Sequence, residues 1–210
     1  MQQFSKILIA TNNYGKFSEI SDLLNSIKIN PVATFDFNNL IEPEETAQTF
    51  AENAFIKAKY YGDATNHISL SDDSGLCIVP LQNQPGVHSA RFAIDDCGKK
   101  NFPWAFNKIH NQLLELGFDS VNNLASAYFI CNLCLYNPVT GKAINFEGRV
   151  DGKIVLPRGQ NGFGYDPIFL KNGDKLTFGE LSSKQKHSIS HRALAFMKLI
   201  NFFKNKRSIL

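Results

Sequence analysis

The segment Lys6-Ile7-Leu8-Ile9-Ala10-Thr11-Asn12-Asn13-Tyr14-Gly15-Lys16 sets the architecture of the chain. Its first five residues read as a buried strand, bounded by the polar Thr11-Asn12-Asn13. Beyond Gly15-Lys16, the apolar residues Phe17, Ile20, Leu23, Leu24 and Ile27 recur at helical spacing. A strand, a polar turn and a helix in that order open an α/β arrangement. Val32 to Phe35 is predicted as a second strand. The acidic stretch Ile41-Glu42-Pro43-Glu44-Glu45-Thr46 is a loop leading into a helix with Phe50, Ala54, Phe55, Ala58 and Tyr61 on one face.

Next comes Ser71-Asp72-Asp73-Ser74-Gly75-Leu76, which reads as a sharp Asp-Ser-Gly turn between two short strands, Ile68-Ser69-Leu70 and Leu76-Cys77-Ile78-Val79. Such a turn exposes both carboxylates at the end of a sheet, where they can hold a hard cation such as Mg²⁺. The same composition suits a loop capped by its own side chains. Farther on, Gln82 to Gly86 is a loop, and a helix covers Ala105 to Leu116, with Pro103 obscuring its start. Residues 125–136 and 142–151 form a long hairpin around Asn137-Pro138-Val139-Thr140-Gly141. A Gly-rich loop from Gly159 to Pro167 precedes a short strand, Ile168-Phe169-Leu170. The last helix is predicted from Ser188 to Phe203, followed by a frayed tail from Lys204 to Leu210. No repeat or linker divides the 210 residues, so a single domain over 1–210 is expected.

With 22 Lys and Arg against 19 Asp and Glu, scattered along the chain, there is no basic stripe for nucleic acid. No apolar run approaches the ~20 residues that span a bilayer. Met1 leads straight into a strand without a signal-peptide core, so a cytoplasmic protein with reduced thiols is expected. Cys131-x-x-Cys134 has the spacing of half a zinc site, but it lies in the strand-like run 125–136. Two strand residues three apart face opposite sides of a sheet, so both read as small buried hydrophobes.

Lys16 in the first turn of one helix, and His191 and Arg192 in the first turn of another after a Ser188 cap, sit where the helix dipole disfavours cations. A bound polyanion such as a nucleotide's phosphate chain removes that conflict. Gly162-Phe163-Gly164-Tyr165-Asp166-Pro167 combines glycines that let backbone approach a ligand, aromatics that stack, and an Asp that accepts from a base. Together with Asp72, Asp73 and the Glu44-Glu45 pair, these parts suit a nucleotide bridged to carboxylates by Mg²⁺ and metal-assisted hydrolysis.

Thr11-Asn12-Asn13-Tyr14-Gly15-Lys16 resembles the T-x-N-x-x-K opening of the noncanonical purine nucleoside triphosphate pyrophosphatases, the family of Ham1 and inosine triphosphatase. Ser71 to Leu76 resembles their D-D-S-G-L element, and Pro85-Gly86-Val87-His88-Ser89-Ala90-Arg91 their P-G-x-x-S-A-R. Pro157-Arg158-Gly159 through Phe169 is similar to their substrate loop, and Lys186 with Ser190-His191-Arg192-Ala193 to their K-x-x-x-S-H-R-A closing motif. The resemblance implies an elongated α/β fold with a mixed, twisted sheet, flanking helices and two lobes around a nucleotide cleft. It also implies a homodimer that converts ITP, dITP or XTP to the monophosphate and pyrophosphate with Mg²⁺, Mn²⁺ being a possible substitute.

By the same resemblance, the segment Thr11 to Lys16 lines the substrate, with Thr11, Asn13 and Lys16 on the phosphates. Asp73 is the metal-linked general base, assisted by Asp72 and by Glu44 or Glu45. Ser74, Phe163, Gly164, Tyr165, Asp166, Lys186, His191 and Arg192 hold the nucleotide. His88, the lack of glycine in Leu81 to Pro85, and Pro103-Trp104 depart from the family's pattern. Inosine and xanthine share a 6-carbonyl acceptor, and Arg192 with backbone N–H groups of the Phe163–Asp166 loop is the expected donor to it.

Overall fold

A computed structural model describes residues 5–38, 40–119 and 121–205. In chain order the elements are β1 (Lys6–Ala10), α1 (Tyr14–Ser26), β2 (Asn30–Ala33), α2 (Phe50–Thr65), β3 (Ser69–Ile78), β4 (Gln84–Pro85), α3 (Ser89–Phe92), α4 (Phe102–Glu115), β5 (Ser126–Asn137), β6 (Lys142–Ile154), β7 (Phe169–Lys171), α5 (Ser183–Ile189) and α6 (His191–Asn205). The strands join in the order β2-β1-β3-β5-β6-β7, with β4 added to β3. β1 pairs parallel with β2 and β3, whereas β4 and β7 pair antiparallel, so the sheet is mixed as expected.

The chain divides into two compact units. The first takes the described residues up to Asp73, Cys131–Gly148 and those from Leu194 onward; the second takes Ser74–Ile130 and Arg149–Ala193. In the first unit, alternate residues of β1 and β5 sort the core. Ile7, Ile9, Cys131, Leu133 and Leu135 pack with Ile20 and Leu24 of α1 and with Phe196 and Leu199 of α6. Burying each such large apolar side chain contributes about 1.5–3 kcal/mol. Cys134 and Tyr136 instead meet Ala54 and Ala58 of α2, so the two cysteines do face opposite sides of the sheet. In the second unit Phe129, Phe169 and Phe178 cluster with ring centroids 4.6–5.9 Å apart, Phe129 parallel to Phe178 and Phe169 edge-on to both.

Several local expectations are corrected. Ser71 to Gly75 is not a turn: β3 runs unbroken through it, and Asp72 and Asp73 are buried rather than exposed. Turn-forming residues tolerate the strand because distant partners satisfy them. The Ser69 and Ser71 hydroxyls donate to the Ala58 and Ala54 carbonyls of α2, at 2.6 and 2.5 Å. The second strand ends at Ala33, where Thr34–Asp36 tightens into a 3₁₀ turn. α4 begins at Phe102, capped by the Asn101 side chain on the Trp104 N–H, and Pro103 fits its first turn because no helical N–H is needed there. The predicted last helix is two helices. Ser188 lies inside α5, and extended Ser190 breaks the chain and caps α6 by accepting from the Ala193 N–H at 3.1 Å. Most of the expected frayed tail, residues 206–210, lies outside the described residues.

Candidate active site

In the first unit the site starts where β1 gives way to α1. Asn13 caps the helix by accepting from the Lys16 N–H at 3.2 Å, and Thr11 Oγ1 accepts from the Asn13 N–H at 3.2 Å. The Thr34 hydroxyl stands 2.9 Å from both the Thr11 carbonyl and Asn12 Oδ1. Thr11 and Asn12 therefore brace the turn, Gly15 is half-buried, and Tyr14 is left 77 % exposed beside it. Lys16 reaches Asp72, with Nζ 2.5 Å from Oδ1. This carboxylate relieves the conflict between Lys16 and the helix dipole from within the protein.

Asp73 projects from the other face of β3 toward α2. There Lys57 Nζ lies 3.4 Å from Asp73 Oδ1, 2.5 Å from Glu45 Oε1 and 2.7 Å from the Asp72 carbonyl. Sequence reasoning missed Lys57, although a signal existed: Asn53 and Lys57 interrupt the stripe of Ala54, Ala58 and Tyr61 that α2 buries. Burial pulls the Lys57 ammonium down, but the Asp73 and Glu45 carboxylates outweigh it, so its pKa stands above the usual 10.5. Burial pushes Asp73 above the usual 3.8, with Lys57 and Lys16 opposing it only in part. Of the acidic-loop pair, Glu45 is the one drawn to this cluster, and Glu44 is exposed.

Asp73 Oδ2 is buried and has no hydrogen-bond partner among the described residues. An orphaned carboxylate oxygen beside a second acid fits a hard cation. Among the described residues no three His, Cys, Asp or Glu side chains form a complete metal-binding group.

The second unit gathers the other predicted residues. Arg192, only 2 % exposed, donates from Nη2 to Ser74 Oγ at 3.1 Å and stands 5.7 Å from the Phe163 ring centroid. Lys186 Nζ lies 4.4 Å from the same ring and 2.7 Å from Asp166 Oδ2. That oxygen also accepts from the Phe163 N–H at 2.8 Å, so this N–H is committed inside the loop rather than offered to a base. Gly162 makes the turn possible, since a Cβ there would stand 2.1 Å from Asp166 Oδ2. Gly164 also holds a positive φ. Tyr165 is a core residue: it is buried, its hydroxyl donates to the Ser89 carbonyl at 2.8 Å, and Phe102 meets its ring edge-on. His191 is buried with its ring stacked on Phe129 at 4.7 Å.

The chain thus carries two groups. One holds a buried acid with an open oxygen, flanked by two lysines; the other holds an arginine and a lysine around one aromatic ring. The family profile of Ham1 matches residues 7–202. The dITP/XTP pyrophosphatase of Mesorhizobium japonicum is 41 % identical over 202 residues, covering 92 % of this chain and 90 % of that protein. That of Caulobacter vibrioides is 42 % identical over 196 residues, covering 93 % and 96 %. Among solved structures, the Staphylococcus aureus Ham1 protein superposes with a TM-score of 0.81 at 32 % identity, covering 96 % of this chain and 99 % of that one. A HAM1 protein from Coxiella burnetii gives 0.81 at 36 %, covering 95 % and 98 %. With sequence and fold agreeing over nearly its whole length, the chain belongs to the Ham1 family.

Proposed function

We propose that the protein is a nucleoside triphosphate pyrophosphohydrolase that converts dITP, ITP and XTP to the monophosphate and pyrophosphate, clearing deaminated purines from the nucleotide pool. The names of its relatives support the activity. The observation that carries the chemistry is Asp73: buried, held at Oδ1 by Lys57, and open at Oδ2. The whole chain acts as one functional domain, in keeping with a single family match from residue 7 to 202.

Asp73 and Glu45 are the residues that fit a Mg²⁺ ion. When bound, the cation neutralises charge developing on the phosphates. Asp73 orients the attacking water and accepts its proton. Lys57 holds the buried Asp73 and the half-buried Glu45 in place and supplies the positive charge that keeps the two acids together. Lys16, steadied by Asp72, meets the phosphate chain, as do the braced Thr11 and Asn13. On the second unit Phe163 offers its ring to the base and Arg192 donates to a 6-carbonyl. An adenine amino group there leaves a buried donor unpaired, at about 1–3 kcal/mol.

A homodimer and a cytoplasmic location belong to the same reading. Among the described residues no helix is long and apolar enough to cross a membrane. Light scattering on the purified protein tests the dimer. The activity is tested with a panel of triphosphates and Mg²⁺, assayed for pyrophosphate. Rapid pyrophosphate release from ITP and XTP and little from ATP is expected; equal rates on ATP and ITP, or release of orthophosphate, overturn the proposal.

A further inference from the structure

We propose that Cys131 is a positioning residue for Lys16, acting through Asp72. The inference rests on the reading that Lys16 meets the substrate's phosphates. Asp72 and Cys131 are both fully buried. The carboxylate is held at both ends: Oδ1 by Lys16 Nζ at 2.5 Å, and Oδ2 by the Cys131 thiol at 2.9 Å.

The second contact matters because of how an aspartate rotates. Its terminal torsion is broad and roughly two-fold, so its own rotamer preference does not fix the carboxylate plane. Two partners on opposite oxygens do fix it. A hydrogen bond to an ionised acceptor is stronger than a neutral one, which lifts a thiol above its usual rank as a weak donor. β5 lies beside β3 in the sheet, so the donor comes from a rigid element. Without it, the carboxylate loses one of the contacts that fix its plane, and the Lys16 ammonium bound to Oδ1 is held less closely in position. Lys16 has a long side chain that is still 15 % exposed, and this carboxylate is what sets its reach. Cys131 thus acts on the phosphate contact without touching substrate.

The test compares Cys131→Ser, which keeps a donor, with Cys131→Val, which keeps apolar bulk and loses the donor. ITP hydrolysis with Mg²⁺ and thermal melting are measured on the full chain. The Ser variant is expected to keep kcat/KM within about threefold, and the Val variant to lose about tenfold, mainly through a higher KM. Melting temperatures should run the other way, with Val at or above Ser, because Val retains the packing. In a Lys16→Gln background the Val substitution should add no further loss. A Val variant with wild-type kcat/KM overturns the proposal. So does an equal loss in Ser and Val, or a further tenfold loss in the Lys16→Gln background. A Lys16→Gln protein with unchanged KM instead overturns the reading of Lys16 on phosphate, whatever Cys131 does.

Discussion

Asp72 and Asp73 are neighbours in the chain but end on different cations: Asp72 lies 2.5 Å from Lys16, and Asp73 lies 3.4 Å from Lys57 on the opposite face of β3. The two carboxylates therefore pair with different ammonium groups. One is a fully paired anchor, and the other keeps an open oxygen. This division of roles orders the expected effects of mutation.

Asp73→Asn is expected to lower kcat on ITP by about 10²–10⁴-fold. It removes a buried negative charge whose own pKa is pushed upward by burial, so the melting temperature should hold or rise. Pyrophosphate release and a thermal melt check both halves. Turnover within tenfold of wild type excludes Asp73 as the base.

Lys57→Met leaves the buried Asp73 carboxylate and the half-buried Glu45 carboxylate without their ammonium. Stranding the buried Asp73 charge costs up to about 3–5 kcal/mol, and the solvent-screened Glu45 adds little. Adding Asp73→Asn to Lys57→Met should recover part of that loss in urea unfolding, because one of the stranded charges is gone. Strict additivity contradicts the coupling.

The pH dependence follows from the two shifts. Asp73 has a folded pKa above 3.8, so its ionisation opposes folding, and its contribution to stability falls as pH rises from 3.8 through the folded value. Lys57 has a folded pKa above 10.5, so its contribution is fully present below 10.5 and is lost as pH rises through the higher folded value. The acid limb of kcat/KM should disappear in the residual activity of Asp73→Asn. A pH–rate profile at fixed metal concentration reads it.

Arg192→Ala should reduce the ITP-to-ATP ratio of kcat/KM by about tenfold or more, since the ratio rests on a donor matched to a 6-carbonyl. An unchanged ratio assigns the discrimination elsewhere.

Of the four cysteines only Cys97 is exposed. Burial pushes the Cys134 thiol up to about 12. A thiol reagent at neutral pH should label one cysteine in the native protein and four after denaturation. Labelling of Cys131 in the native state is inconsistent with its place in the core.

The elements built on strong periodicity were legible in the sequence: β1, α1, α2 and the β5–β6 hairpin. β3 was not, because Asp-Asp-Ser-Gly has the composition of a turn. Its polar side chains stay in a strand through α2 carbonyls and Lys57, partners that a local pattern does not contain. The break at Ser190 was hidden for a related reason: α5 has only seven residues, too few for periodicity to separate it from α6. The candidate site was legible as a set of motifs, but not as contacts. The sequence did not show that the Tyr165 hydroxyl would reach the Ser89 carbonyl or that Asp166 would brace its own loop, and Lys57 emerged only from its neighbours.

The hydroxyls of Ser69 and Ser71 also set a scale. Alternate strand residues are about 6.6–6.8 Å apart, and four helical residues rise about 6 Å. Two teeth on β3 thus mesh with Ala58 and Ala54, one helical turn apart. A helix engaged at two commensurate points cannot slide by a fraction of a turn without disengaging both. Lys57, lying between them, inherits its height along β3 from that gearing, so Ser69 and Ser71 calibrate the ammonium from a distance.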